Sequence, residues 1–343
     1  ITATRVEGTV PISSDARSSD GTKEELTPPA VEPSNSMKEN PAEGASHLPS
    51  PISFRMKAGL LLLYRENSDT PLVTDSFSPG GTNIVNAKDL DLKFEPGLDA
   101  SLGAVLRTLG TTFGAEVRYF GIHEWSESHG PVLRPPDTLV VIKHQPEIAF
   151  FSTSETSVFA KYKSELYNVE LNLSWYPGEQ IRAFIGGRYM KLDEALRIST
   201  ESFGTTYVDE VSTKNDLLGV QLGIEGVFFG RTDDGFSMEG WAKAGYFHND
   251  ISAKANFPLP VIGNLSARSS KNENTLAGEF GIGVSYAFFR NIALSARYQL
   301  LWLNHVALAP EQWPVTDYAT GRINTATDSV IYHGAWVGVI LSW

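Results

Sequence analysis

The chain has 343 residues, a net charge of −12, 41% hydrophobic residues and no cysteine. The lack of cysteine excludes a disulfide framework and a thiolate metal site, and the negative charge argues against a nucleic-acid partner. A membrane-spanning helix needs roughly 20 consecutive apolar residues, and the longest apolar run near the start of the chain, Leu60–Leu63, is far shorter. The length permits one large β-barrel or two ordinary domains, and we expect no cofactor.

Residues 1–51 differ in composition from the rest of the chain. They contain no aromatic residue, eight acidic and four basic residues, and seven prolines between Pro11 and Pro51. Such a segment cannot bury enough apolar area to offset the entropy that it would lose on ordering. We therefore expect an extended Pro/Ser/Glu-rich periplasmic tail, which is either a linker or an arm that docks onto a periplasmic or envelope protein.

From Ile52 onward, apolar and polar residues alternate in ten segments. Because side chains along a β-strand point alternately to its two faces, each segment is typical of a strand with one apolar face. In chain order the segments are 52–65, 96–107, 112–125, 157–175, 181–198, 214–229, 236–255, 273–288, 291–306 and 329–343. The pattern predicts an all-β fold, a transmembrane antiparallel up-and-down β-barrel of about ten strands over residues 52–343, preceded by the extended tail.

The connections between these segments alternate in length. Short turns lie at 109–111, 177–179, 231–235 and 290–291, and long polar connections at 66–95, 126–156, 256–272 and 307–328. Short periplasmic turns and long external loops are the pattern of bacterial outer-membrane barrels. We therefore expect a barrel surrounded by the outer-membrane lipid of a Gram-negative envelope. An even number of strands places both termini in the periplasm.

Aromatic residues are sorted toward the two ends of the predicted strands. Tyr119, Tyr189, Tyr246 and Tyr298 lie at one level, and Trp175, Phe288 and Trp343 lie at the opposite strand ends. A soluble β-sandwich has no reason to sort its aromatic residues in this way. Two aromatic girdles flank the apolar band of a membrane barrel, so we predict that these seven residues form them.

Four stretches resemble a known family. Arg297–Gln312 (RYQLLWLNHVALAPEQ), Gly187–Glu194 (GRYMKLDE), Asn215–Gly223 (NDLLGVQLG) and Tyr332–Ala335 (YHGA) are similar to motifs of an outer-membrane β-barrel porin family of planctomycete type. That family is related to Legionella-type pore-forming outer-membrane proteins. The resemblance covers about residues 52–343. It implies a barrel and an outer-membrane location, and it implies no particular substrate.

The more polar face of each strand supplies the predicted lumen. The predicted pore-lining residues are Arg107, Glu116, Arg118, Glu170, Arg182, Arg188, Glu225, Lys243, Glu279 and Arg297, and the same faces also hold Lys57, Asp99, Gln221, Glu239 and Gln299. Charges of both signs in a narrow lumen pair with one another. The interior of an eight-stranded barrel is filled by side chains, and the interior of a ten-stranded barrel is only slightly wider.

These considerations favour a porin-type barrel whose pore for small solutes is narrow or partly plugged. The alternative is a non-conducting structural or anchoring barrel of an envelope complex, docked through residues 1–51. The sequence sets neither the solute nor the oligomeric state.

Several residues at the predicted external rim invite a catalytic interpretation because histidine and carboxylate side chains act as general bases. They are His123, Glu124, His248, Asp250 and His305. The sequence contains no Gly-x-Ser-x-Gly elbow and no His-Glu-x-x-His zinc motif. Glu311 and Asp317 lack the acidic spacing of an EF-hand calcium loop. We therefore expect no enzymatic activity and no metal site.

Overall fold

The computed structural model describes residues 52–75, 83–134, 138–144, 147–152, 155–231, 234–259 and 263–343. The predicted tail, residues 1–51, lies outside these ranges. In chain order the strands are β1 (Ile52–Arg65), β2 (Pro71–Thr74), β3 (Asn83–Asn86), β4 (Glu95–Arg107), β5 (Thr112–Arg134), β6 (Thr138–Ile142), β7 (Ile148–Ser152), β8 (Thr156–Tyr176), β9 (Ile181–Ser202), β10 (Thr205–Arg231), β11 (Asp234–Leu259), β12 (Gly263–Phe289), β13 (Ile292–Val306), β14 (Thr316–Asp317), β15 (Arg322–Ile323) and β16 (Asp328–Ser342). A 3₁₀ turn covers Ala87–Asp89, and a one-turn helix α1 covers Ala309–Gln312. None of the helices in the described ranges is long and apolar enough to cross a membrane.

Ten of these strands form one closed antiparallel barrel. Around the ring the order is β1, β4, β5, β8, β9, β10, β11, β12, β13 and β16. β16 closes the ring by pairing with β1, with Ala58 opposite Val339. Closure pairs every strand on both sides and removes the exposed sheet edges. The predicted all-β fold, an up-and-down barrel of ten strands, is confirmed.

The outer face of the barrel carries a continuous apolar band. On β10, Leu218, Val220 and Leu222 point outward and are each more than 60% exposed, whereas Gln221 between them is buried inside. The same alternation on the other strands places apolar side chains outside and polar ones inside. This arrangement is the reverse of a water-soluble barrel and typical of a transmembrane one.

Strands β5 and β9 to β12 extend beyond the segments that the sequence pattern predicted. The segment 256–272 was expected to be a loop, but β11 and β12 continue through it as a hairpin in which Asn256 lies opposite Ser266. Beyond the apolar band the outward residues, such as Ser266 and Arg268, are polar, while Phe257 still points to an apolar interior. The two-residue alternation therefore continues, but here the inward face is apolar and the outward face is polar. The sequence analysis looked for the opposite arrangement and so missed these parts of the strands.

The long connections fold into a plug at the end of the barrel opposite Ile52 and Trp343, which we call the distal end. The plug comprises the described residues of 66–94 and 138–152 together with 307–327. Its strands β2, β3, β6 and β7 form a four-stranded sheet in the order β3-β2-β6-β7. The apolar core of the plug packs against inward side chains of the long strands, such as Leu192 and Phe247. The indole of Trp313 donates a 3.0 Å hydrogen bond to the carbonyl of Leu72 within this core.

Candidate functional site: the charged lumen

Below the plug, at the level of the apolar band, charged side chains fill the lumen. The cations are Lys57, Arg118, Arg182, Arg188, Lys243 and Arg297, and the acids are Asp99, Glu116, Glu170, Glu225, Glu239 and Glu279. Each of the twelve takes part in at least one ion pair within the described part of the chain. Because six positive charges meet six negative ones, the network is neutral when all of them are ionised. A neutral, fully paired set lowers the penalty for removing charges from water.

Two ion pairs cross the full width of the bore. Arg118 Nη1 donates to Glu279 Oε1 at 2.8 Å. Arg118 lies on β5, the third strand of the ring, and Glu279 on β12, the eighth, so they stand on diametrically opposite walls. Lys57 Nζ donates to Glu225 at 3.3 Å, and it joins β1, the first strand, to β10, the sixth. Side chains from opposite walls therefore meet in the middle of the lumen.

Glu170 is at the centre of the distal layer of this network. Its carboxylate is fully buried and accepts from Lys243 Nζ at 3.0 Å and from Gln221 Nε2 at 2.8 Å. Arg118 also reaches it, at 3.4 Å. Glu279 shares two of these cations, since Arg118 and Lys243 lie 2.8 and 3.0 Å from it. The layer is cross-linked, so displacement of one side chain leaves several opposite charges without partners.

A second layer lies nearer the chain termini. Arg182 bridges Glu116 at 3.1 Å and Glu225 at 3.0 Å. Arg297 pairs with Glu239, and its guanidinium lies between the rings of Trp241 and Trp336, 5.6 and 5.0 Å from their centroids. Contacts between a cation and an aromatic face are favourable in desolvated surroundings.

The sequence analysis missed these two tryptophans. Trp241 precedes the inward Lys243 by two residues on β11, so the two-residue period of the strand was the signal that could have found it. Trp336 likewise lies on the face of β16 opposite the outward Val337 and Val339.

Nine of the ten predicted pore-lining residues belong to this network: Glu116, Arg118, Glu170, Arg182, Arg188, Glu225, Lys243, Glu279 and Arg297. Arg107 does not join them. It is the last residue of β4 and is exposed, and no ion pair of its side chain occurs among the described residues. Arg107 therefore lies outside the paired network, at an exposed strand end. Whether the nine line a conducting pore stays a prediction.

The predicted girdle residues all point away from the lumen. Tyr189, Tyr246 and Tyr298 are 36%, 53% and 48% exposed, and Tyr119 is half-buried beside them. At the opposite edge of the apolar band, Trp175, Phe288 and Trp343 are each at least half exposed. Trp343 stacks on Phe54 across the β1–β16 seam with ring centroids 5.9 Å apart.

A small cavity remains inside the network. Its volume is about 40 Å³, and Lys57, Glu116, Arg182, Glu225 and Trp336 are among the residues that line it. A water molecule needs roughly 10–15 Å³ of such volume, so the cavity has room for about three waters. The lumen is thus narrowed by the charged network and covered at its distal end by the plug.

The rim residues that invited a catalytic interpretation do not converge. His248 and Asp250 form a 3.3 Å pair, but their side chains are 56% and 65% exposed on the outer wall. His123 contacts the hydroxyl of Tyr167 at 3.4 Å. His305 has a positive φ of 47°, and its carbonyl accepts from Asn249. Within the described ranges no three His, Asp or Glu side chains are grouped to hold a metal ion.

No family model matches the sequence, and no curated protein matches it. Solved structures of outer-membrane barrels do resemble the fold. The outer membrane protease OmpT from Escherichia coli is 8% identical, with a TM-score of 0.47 over 88% of this chain and 99% of that one. The toluene transporter TodX from P. putida is 11% identical, with a TM-score of 0.17 over 86% and 89%. OccAB4 from Acinetobacter baumannii is 9% identical, with a TM-score of 0.17 over 86% and 99%.

These comparisons correct one expectation. The sequence analysis excluded enzymatic activity, and that exclusion is wrong as an inference from a barrel pattern, because one of the similar barrels is a protease. At 8% identity the likeness concerns the fold alone and transfers no activity to this chain. The resemblance to the planctomycete-type porin family is not among the matches and stays a prediction.

Proposed function

We propose that this protein is a closed barrel of the Gram-negative outer membrane that does not conduct solutes and instead serves as a structural anchor of an envelope complex. The observation that carries the proposal is the pair of ion bridges across the bore, Arg118–Glu279 and Lys57–Glu225. Both pairs join opposite walls, so a solute passes only if they separate. Separating a buried ion pair leaves charges unpaired and is strongly unfavourable.

The outward apolar band supports the membrane location. It requires a surrounding lipid phase, and the aromatic residues at its two edges suit the membrane–water interfaces. We orient the barrel so that both termini lie in the periplasm and the plug faces the outside of the cell. We further propose that residues 1–51 are periplasmic, since their acidic, aromatic-free composition suits docking onto an envelope partner.

A porin-type barrel with a narrow or partly plugged pore is the second candidate. The observation that favours it is the cavity of about 40 Å³ between charges of both signs. A chain of waters entering this cavity from the terminal end would pass ions or very small solutes slowly. The two candidates differ in one measurable property, the permeability of the unmodified barrel.

Liposome swelling tests the proposal. Liposomes containing the purified full-length protein are diluted into isotonic solutions of glycine, arabinose or glucose, and light scattering follows solute entry. We expect no swelling above that of protein-free liposomes. Swelling that becomes faster as the solute becomes smaller would overturn the closed-barrel proposal in favour of the narrow pore. Correct insertion is checked on the same sample by the heat-dependent shift of gel mobility that folded barrels show.

A further inference from the structure

His144, two residues after the end of β6, connects the plug to the barrel wall. Its side chain is fully buried. The imidazole packs against the rings of Trp313 and Tyr318, with centroids 4.4 and 5.1 Å away. Both aromatic residues belong to the 307–327 segment of the plug. His144 therefore lies where two parts of the plug meet the inner face of β10.

Both ring nitrogens of His144 face acceptors. Nδ1 lies 2.8 Å from the backbone carbonyl oxygen of Trp313, and Nε2 contacts a carboxylate oxygen of Asp209 on β10. A carbonyl oxygen only accepts, so Nδ1 must donate. A neutral imidazole has one N–H, which Nδ1 uses. The contact with Asp209 therefore needs a second proton, placed either on His144 or on the carboxyl group.

The hydroxyl of Tyr318 fixes the other side of Asp209. It donates to Oδ1 of that carboxylate at 2.8 Å. Burial and the neighbouring Asp209 raise the pKa of Tyr318 well above its ordinary value, so the hydroxyl remains a donor across the physiological range. A buried carboxylate that accepts from both a tyrosine and a histidine is satisfied as long as the histidine site keeps its proton.

We propose that His144, Asp209 and Tyr318 form a proton-dependent latch that fixes the plug in the distal end of the barrel. When the extra proton is present, the imidazole bonds both the carbonyl of Trp313 and Asp209. When it is lost, a lone pair of Nε2 faces a buried carboxylate, and this contact becomes repulsive. The closed state binds one more proton than an open state in which His144 is solvated and neutral. The latch therefore holds at acidic pH and loosens as pH rises.

The other groups around the latch do not replace this proton. Lys143, beside His144 in the chain, points away and pairs with Glu147 at 2.7 Å. β11 contributes the ring of Phe257, which packs on Tyr318, and β2 contributes the carbonyl of Leu72, which accepts from the indole of Trp313. Among the described residues, the charged group that lies against His144 is thus Asp209.

Hydrogen exchange tests the latch in the full-length protein inserted in detergent micelles. Protection of residues 138–144 and 309–318 is measured by mass spectrometry between pH 5 and 9, with intrinsic rates corrected at each pH. We expect the opening constant of these segments to rise with pH, by at most about tenfold per pH unit for the loss of one proton. In His144→Gln this dependence should vanish, because glutamine does not titrate. His248→Gln is the matched control, since it alters an exposed His–Asp pair, and it should keep the wild-type dependence.

Two results would overturn the proposal. One is a plug whose opening does not change with pH in the wild type, and the other is an unchanged pH dependence in His144→Gln. If that variant does not fold, ¹⁵N NMR of the wild-type imidazole decides. The proposal expects the proton to be shared between His144 and Asp209 at pH 6. A singly protonated ring beside an ionised carboxylate would refute it. The outcome does not depend on whether the lumen conducts.

Discussion

Arg118 is the side chain on which the cross-linking of the lumen most depends. It is 2.7 Å from Asp99, 2.8 Å from Glu279 and 3.4 Å from Glu170, with only 12% of its side chain exposed. Glu170 and Glu279 keep Lys243 as a partner when Arg118 is removed, but no other ion pair of Asp99 occurs among the described residues. Arg118→Met retains most of the aliphatic stem. The main effect is therefore one uncompensated buried carboxylate.

Removing one partner of a buried ion pair destabilises a protein by about 3–5 kcal/mol. We expect Arg118→Met to lower the free energy of unfolding by about 3 kcal/mol, the lower end of that range, since two of the three acids keep a cation. Urea unfolding in detergent micelles, followed by tryptophan fluorescence and by gel mobility, measures this change. The midpoint should fall while the slope with denaturant concentration stays constant.

Arg107→Met is the matched control, because Arg107 is exposed at the end of β4 and should change stability by less than about 0.5 kcal/mol. The double variant Arg118→Met/Asp99→Asn should recover part of the loss, since it removes the unpaired carboxylate. Equal stabilities of Arg118→Met and Arg107→Met would show that the network is hydrated and weak, and would contradict a stabilising role for the ion pairs of Arg118.

Three further outcomes are expected. Leu222→Arg, in the middle of the outward apolar band, should destabilise the inserted barrel by roughly 2–4 kcal/mol. Leu109→Arg, in a fully exposed turn, should be tolerated. Equal yields of folded barrel on gels for the two variants would contradict the position of the band. Gly334→Ala places a Cβ against the carbonyl oxygen of Leu62 at the barrel seam and should reduce stability by about 1–3 kcal/mol, while Gly187→Ala, with open space around it, should not. A tolerated Gly334→Ala would argue against the seam register. Deleting residues 1–50 should leave a folded barrel but release any envelope protein that co-purifies through the tail, and loss of insertion would mean that these residues belong to the barrel.

The barrel could be predicted from the sequence because every strand has lipid on one side and a polar lumen on the other. Lipid outside and a polar lumen inside impose a two-residue alternation, as at Leu218, Val220 and Leu222 around Gln221. The inward charges followed from the same alternation, and nine of the ten predicted residues meet in one network. Arg107 was the exception because a face assignment does not tell how far along each strand the network extends.

The plug and the distal parts of the long strands could not be predicted in this way. Beyond the apolar band the wall faces water outside and an apolar plug inside, so the pattern is that of a soluble protein. Phe257 and Ser266 illustrate the exchange of faces. The partners in the lumen also escaped prediction, because diametric contacts such as Arg118–Glu279 depend on strand register and on the ring order. His144 and Asp209, 65 residues apart in the chain, meet only through the folding of the plug.

Single-channel conductance of the wild-type protein in planar lipid bilayers decides between a closed barrel and a pore. Once gel mobility has verified that the barrel is folded and inserted, we expect no channel openings in about 1 M KCl, at which surface charges are screened within about 3 Å. The ion bridges Arg118–Glu279 and Lys57–Glu225 close the bore. Arg118→Met/Lys57→Met should introduce small, brief openings by removing both bridges. Stable, ohmic openings of the unmodified protein would contradict the closed lumen and establish a pore.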